Sequence, residues 1–126
     1  MESLNIKGTS SAPTVIFKEN GELKIQGRII TEHAVATFAP MFEWIAELKV
    51  QKVIFNIELD YMNTGASMKL LDLLIQLDKN PDIGQIIVNW HYDEDDEDHL
   101  ETGKMFEQRL DRVSFEFIQI FEGTEA

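Results

Sequence analysis

The sequence predicts a single α/β domain, with a mixed β-sheet of about five strands in the order ββαβαβαβ flanked by helices. Three observations predict it. Near the start, two runs rich in β-branched residues flank Asn20-Gly21, a strong hairpin signal. Beyond Gly27 the apolar spacing changes repeatedly between every second residue and every third or fourth, the periods of strand and helix. A chain of 126 residues also suits one domain (1–126), able to bury roughly two thirds of its unfolded surface without disulfides or metal. Strand–helix–strand units favour parallel pairing through right-handed crossovers. A hairpin followed by such units therefore makes a mixed sheet.

Each element has its own warrant. Leu4 and Ile6, ahead of a Gly8-Thr9-Ser10-Ser11 break, fit a short first strand or an ordered arm. Pro13 to Lys18 reads as a strand, and Glu22 to Gly27 alternates as its return across the hairpin. From Glu32 to Lys49, Val35, Phe38, Phe42, Ile45 and Leu48 make one helical face, with Thr31 as N-cap and Pro40 expected to kink or split the helix. Gln51 to Leu59 alternates as a strand. Leu70, Leu71, Leu73, Leu74 and Leu77 line a helix that opens after Asn63 and ends near Asn80-Pro81. Ile83 to Trp90 is a strand, Glu94 to Leu110 a helix, and Val113 to Phe121 a closing strand, with Glu122 to Ala126 a frayed tail.

Composition narrows the function. Twenty-three acidic against 11 basic residues give a formal charge of −12, which repels nucleic-acid phosphates and anionic lipid; neither is an expected partner. The absence of cysteine excludes disulfides, thiolate catalysis and zinc–thiolate sites, and suits a reducing compartment. The amino terminus lacks the basic start and apolar stretch of a signal peptide, and no apolar run is long enough to span a bilayer. A cytoplasmic protein is expected.

The most informative stretch is the strand–helix junction Tyr61-Met62-Asn63-Thr64-Gly65-Ala66-Ser67. It places hydroxyls at the start of a helix, where backbone N–H groups lack intrahelical partners and the dipole favours an anion. Two readings share that geometry. In one, Thr64 is the N-cap, accepting from the Ser67 N–H, or Asn63 caps instead. In the other, Thr64 carries phosphate, adding about −1.5 to −2 charge at neutral pH. Gly65 and Ala66 leave that hydroxyl open to a kinase, Lys69 is a candidate cation for the phosphate, and Ser67 is a possible second acceptor.

The remaining polar clusters carry less chemistry. The run Asp93 to Asp98 lacks the glycine and closing glutamate of an EF-hand loop, and reads as the acid-rich first turn of the third helix. A weak cation site or a docking patch for a basic partner are its other readings. His33, His91 and His99 show no metal-ligand spacing. Trp44 reads as core or near-core. An enzyme would need a site built from Asp60, His91 and the acidic run, but no nucleophile–base pair can be named, so a non-enzyme is expected.

The chain resembles the SiaC family of bacterial regulatory phosphoproteins. The likeness runs through Leu4-Asn5-Ile6-Lys7-Gly8-Thr9, the Gly21 hairpin with Gly27, Glu43-Trp44-Ile45, Tyr61-Met62-Asn63-Thr64, and Trp90-His91-Tyr92-Asp93 with its acidic helix. The resemblance implies a fold like that of anti-sigma-factor antagonists (STAS-like) and a partner switch without a cofactor. A protein kinase phosphorylates such proteins and a PP2C-like phosphatase reverses it. The unphosphorylated form binds and activates a diguanylate cyclase of the GGDEF type, in cyclic-di-GMP and biofilm control. The alternative is an anti-sigma-factor antagonist that binds an anti-sigma kinase. The family's phosphoacceptor threonine, in an Asn-Thr-Ser-Ser junction, falls on Thr64, with Tyr61, Asn63, Gly65 and Lys69 as switch-loop and partner-binding residues. This sequence departs with Gly65-Ala66 in place of the two serines, and with Ala12-Pro13 where Thr-Pro is usual.

Overall fold

The structure is a computed structural model that describes residues 1–120. Six strands form one sheet in sequence order: β1 (Leu4–Ile6), β2 (Thr14–Phe17), β3 (Glu22–Ile29), β4 (Val50–Met62), β5 (Ile83–Asp93) and β6 (Val113–Ile120). The first three pair antiparallel, and β3 through β6 run parallel. Helices α1 (Ala34–Ala46), α2 (Thr64–Lys79) and α3 (Glu97–Gln108) connect the parallel strands. The mixed sheet is as the sequence implies, and the expected short first strand is the sixth member. Phe121 and the expected tail lie outside the described residues.

Because each crossover joins neighbouring strands in the same direction, right-handed connections put all three helices on one face of the sheet. Strand alternation then divides the side chains. Val53, Phe55, Ile57 and Leu59 of β4 and Ile86, Val88 and Trp90 of β5 are buried beneath the helices, against Phe38, Met41 and Ile45 of α1 and Leu70, Leu73, Leu74 and Leu77 of α2. The alternate residues point to the opposite face, where Asn89 Nδ2 donates to Asn56 Oδ1 across neighbouring strands at 3.0 Å.

The first hairpin turns through one residue more than a two-residue loop. The Gly21 N–H donates to the Lys18 carbonyl, the Lys18 N–H to that of Glu22, and within this loop Gly21 adopts positive φ (97°). This is a type I turn closed by a left-handed glycine, a three-residue loop. Any side chain at Gly21 would also meet the Lys52 carbonyl oxygen.

Helix boundaries differ from expectation at two starts. Thr31 is not the N-cap of α1: His33 occupies that position without a side-chain cap, while Thr31 Oγ1 accepts from the His33 N–H and the Thr37 hydroxyl one turn earlier. Pro40 sits inside α1, which is one continuous element. The third helix begins at Glu97, not Glu94, because Asp96 takes the N-cap and accepts from the His99 N–H at 3.0 Å.

Two features lock the helices down. Asp78, buried on α2, accepts from the backbone N–H groups of Asp111 and Arg112. Arg112 in turn donates to the carbonyls of Asp78, Ile83 and Asn80 at 2.7, 2.9 and 2.8 Å, placing a cation where the carbonyls of α2 end. On α3, Gly103 lets the helix rest on Trp90, whose ring atoms lie 2.7 Å from where a Cβ would be.

Candidate functional site

The parallel strands all finish at one edge of the sheet, where the amino ends of the helices lie. In open α/β sheets that edge is where ligands and partners are met. Here β4 overruns its neighbour. Leu59 pairs with Gly27 and Tyr61 with Arg28, so Asp60 is an extra residue opposite a bulge, made possible by the positive φ (108°) of Gly27. The bulge brings the Arg28 guanidinium to 5.9 Å from the Tyr61 ring centroid.

Asn63 braces the junction that follows. Its N–H donates to the Ile29 carbonyl at 3.0 Å, and its Nδ2 to the Thr31 carbonyl at 2.8 Å. Its Oδ1 accepts from the Ala66 N–H at 3.1 Å, which makes Asn63 the N-cap of α2. Of the two capping assignments open at the level of sequence, the Thr64 one is therefore corrected. Thr64 is the first helical residue, the Ser67 N–H is taken by the Asn63 carbonyl, and the Thr64 side chain is exposed. Among the described residues its hydroxyl has no hydrogen-bond partner. The hydroxyl is thereby free for chemistry, with the positive end of α2 beside it.

The other junction residues fall into place around it. Gly65 is exposed and its backbone needs no glycine; an added Cβ would lie 3.7 Å from Ala34 Cβ, an ordinary contact with α1. Met68, one turn beyond Thr64 on the same face, is 64% exposed, and Tyr61 is half exposed. Ile30 and Val35, on the segment that Asn63 and Gly65 touch, are also exposed. Exposed apolar residues thus precede and follow Thr64 in the chain. Lys69 is five positions on, roughly 140° around the helix, and pairs with Asp72 at 3.5 Å. It lines the groove between α1 and α2 with Val35, Ala39 and Phe42. Ser67 is partly buried and faces a small cavity with Asp60, Asp96 and Asp98, a setting that opposes a second dianion.

The acidic run divides among three settings. Asp93 ends β5, Glu94 and Asp95 form a turn, and Glu97 and Asp98 occupy the first turn of α3 behind the Asp96 cap. Among the described residues, no group of three or more histidine and carboxylate side chains is arranged to hold a metal ion. His99 is the histidine that sequence reasoning missed. It is buried and stacked on Trp90 with ring centroids 4.7 Å apart, and Trp90 Nε1 donates to its carbonyl at 3.1 Å. Burial lowers its pKa below the ordinary 6.5, outweighing Asp96, the His91 carbonyl and Asp60, which act the other way. Its place on the apolar side of α3, three positions before Thr102 and seven before Phe106, was the available signal. Trp44 is near-core as expected: it packs on Phe17 and its Nε1 donates to the Glu2 carbonyl at 2.7 Å.

The class these features define is a small α/β domain with a hydroxyl presented at a helix start. The family model for the SiaC family regulatory phosphoprotein matches residues 6–120, and the chain belongs to that family. The fold is similar to apo-SiaC from Pseudomonas aeruginosa, with a TM-score of 0.75 at 25% identity, covering 94% of this chain and 99% of that one. It is equally similar to a structure of the diguanylate cyclase SiaD in complex with its activator SiaC from Pseudomonas aeruginosa (TM-score 0.74, 25% identity, 93% and 99% covered). No curated protein matches the sequence.

Proposed function

We propose that this protein is a threonine-phosphorylated partner switch acting in the cytoplasm. Its unphosphorylated form binds and activates a diguanylate cyclase, and a protein kinase and a PP2C-like phosphatase set its state at Thr64. One observation carries the reading: Asn63 takes the cap, and Thr64 stands exposed and unbonded at the first position of α2. Family membership and the likeness to SiaC bound to a cyclase support it. No helix among the described residues is long and apolar enough to cross a membrane, which agrees with that setting.

The mechanism follows from energetics. Tyr61 and Met68 give the junction an apolar docking surface. A dianion set into such an interface with no cation opposite it incurs desolvation of several kcal/mol, which lowers affinity by orders of magnitude. Because the amino end of α2 accommodates the phosphate, the modified protein stays folded.

The test is to isolate the protein from its native cells, map phosphate on the peptide from Met62 to Lys69 by mass spectrometry, and measure cyclase binding for each form. Phosphate at Thr64, absent from Thr64→Ala, together with loss of cyclase binding on phosphorylation, is the expected result. A peptide never modified across growth conditions, or equal binding by both forms, overturns it.

A further inference from the structure

The sheet has two outer edges, and they are built differently. At one side β1 spans 3 residues. At the other β6 spans 8, Val-Ser-Phe-Glu-Phe-Ile-Gln-Ile, in unbroken register with β5 from Ile86 opposite Val113 to Asp93 opposite Ile120. Among the described residues nothing pairs with the outer side of β6, where alternate residues present backbone N–H and C=O groups. Sheets that stay solitary blunt such an edge by shortness, proline, a bulge or charge. Shortness blunts β1. In β6 there is no proline and no bulge, and Glu116 is the one charged residue, in a chain of formal charge −12.

The side chains along this edge are a second observation. On the helix side Phe115 and Phe117 stack with ring centroids 5.7 Å apart, and both stay partly exposed. On the opposite face, which no helix covers, Ile118 and Ile120 are 38% and 44% exposed. An open backbone edge is thus flanked by apolar side chains above and below.

We infer that β6 pairs antiparallel with β6 of a second copy, about a two-fold axis perpendicular to the sheet. One continuous sheet results, with the helices of both copies on the same face. Residues opposite each other in such a pair share a face, so one residue meets itself at the axis. With Glu116 at the axis, two carboxylates oppose each other. With Phe115 there, Ile118 and Ile120 fall outside the paired residues of β6. With Phe117 there, Glu116 faces Ile118, Phe115 faces Gln119 and Ser114 faces Ile120. That register covers both exposed isoleucines and keeps the carboxylates apart, so the strand is its own complement. The pairing removes on the order of 1,000 Å² from water, the lower limit for a specific interface, and sets affinity in the micromolar range. Because β1 offers no matching edge, assembly closes at two copies.

The test is sedimentation equilibrium of the full chain, free of phosphate, over a dilution series from micromolar to millimolar. A reversible dimer is expected, and added salt should tighten it by screening two acidic chains from each other. Ile118→Glu sets a carboxylate opposite Glu116 of the second copy, twice by symmetry, and should weaken the dimer at least about tenfold. Ile118→Lys sets an ammonium there instead and should hold affinity within about threefold of the parent or raise it. Both replace an exposed side chain, and circular dichroism checks that each folds. Amide exchange in β6 should slow as concentration rises, while that in β1 does not change. A chain that stays monomeric at millimolar concentration overturns the inference. So does a dimer that Ile118→Glu leaves intact, or one that both substitutions weaken alike. None of these readouts depends on whether Thr64 is ever phosphorylated.

Discussion

Substituting Asn63 and Thr64 separately tells scaffold from switch. Asn63→Ala removes the Oδ1 bond to the Ala66 N–H and the Nδ2 bond to the Thr31 carbonyl. The lost cap is worth about 1 kcal/mol and the lost tether about another 1 kcal/mol. Unfolding entropy near about 2.1 cal/mol/K per residue gives about 0.26 kcal/mol per degree for 126 residues. Asn63→Ala should therefore lower Tm by about 7–8 °C. Thr64→Ala breaks no bond and replaces a modest helix former with the best one, so its Tm should stay within about 2 °C of the parent or rise slightly. Thermal unfolding followed by circular dichroism reads both, on protein free of phosphate. If Thr64→Ala falls as far as Asn63→Ala, the hydroxyl is structural and the argument that capping by Asn63 frees it fails.

Other changes test the surrounding scaffold. Gly103→Ala forces a Cβ to 2.7 Å from Trp90 ring atoms and 2.9 Å from Phe117, and should destabilise by about 1–3 kcal/mol, read as a lower urea midpoint. Arg112→Ala leaves the carbonyls of Asp78, Ile83 and Asn80 without their donor; a loss of about 2 kcal/mol is expected, which Arg112→Lys recovers only in part because an ammonium lacks the fork. Lys69→Ala loses only a partly exposed pair with Asp72 and should change stability by less than about 0.5 kcal/mol, measured in urea. For His99 the folded pKa is lowered, so the unfolded chain takes up a proton that the folded state resists. Its stabilising contribution is full above pH 6.5 and declines as pH falls below it, toward the folded value. His99→Gln should flatten that segment of the stability–pH curve in urea titrations; an unchanged slope there contradicts the assignment.

The sequence carried the architecture because its periodicities are long and clean. β4 alternates from Val53 to Leu59, α2 repeats leucine at three and four, and the crossover rule then leaves one arrangement of helices. What it carried poorly depends on single side chains choosing among near-equal local partners. Asn63 and Thr64 both cap helices well, and the choice fell to Asn63 because its amide reaches the Thr31 carbonyl while its oxygen caps, which a hydroxyl cannot do at that span. The start of α3 slipped past Glu94 and Asp95 for a similar reason: any of six consecutive acids satisfies the helix dipole, but Asp96 alone caps the His99 N–H. The Asp78–Arg112 lock joins residues 34 apart in sequence, a separation no local pattern encodes, although a carboxylate on the leucine face of α2 already required a buried partner. The same reasoning applies to His99. A titratable ring on the buried side of α3, packed on Trp90 with one nitrogen unpaired, is a local inconsistency that folding alone does not resolve. Such inconsistencies gather where a protein meets something else. Here the inconsistency lies at the end of the sheet where the parallel strands finish, the same end at which Thr64 opens α2.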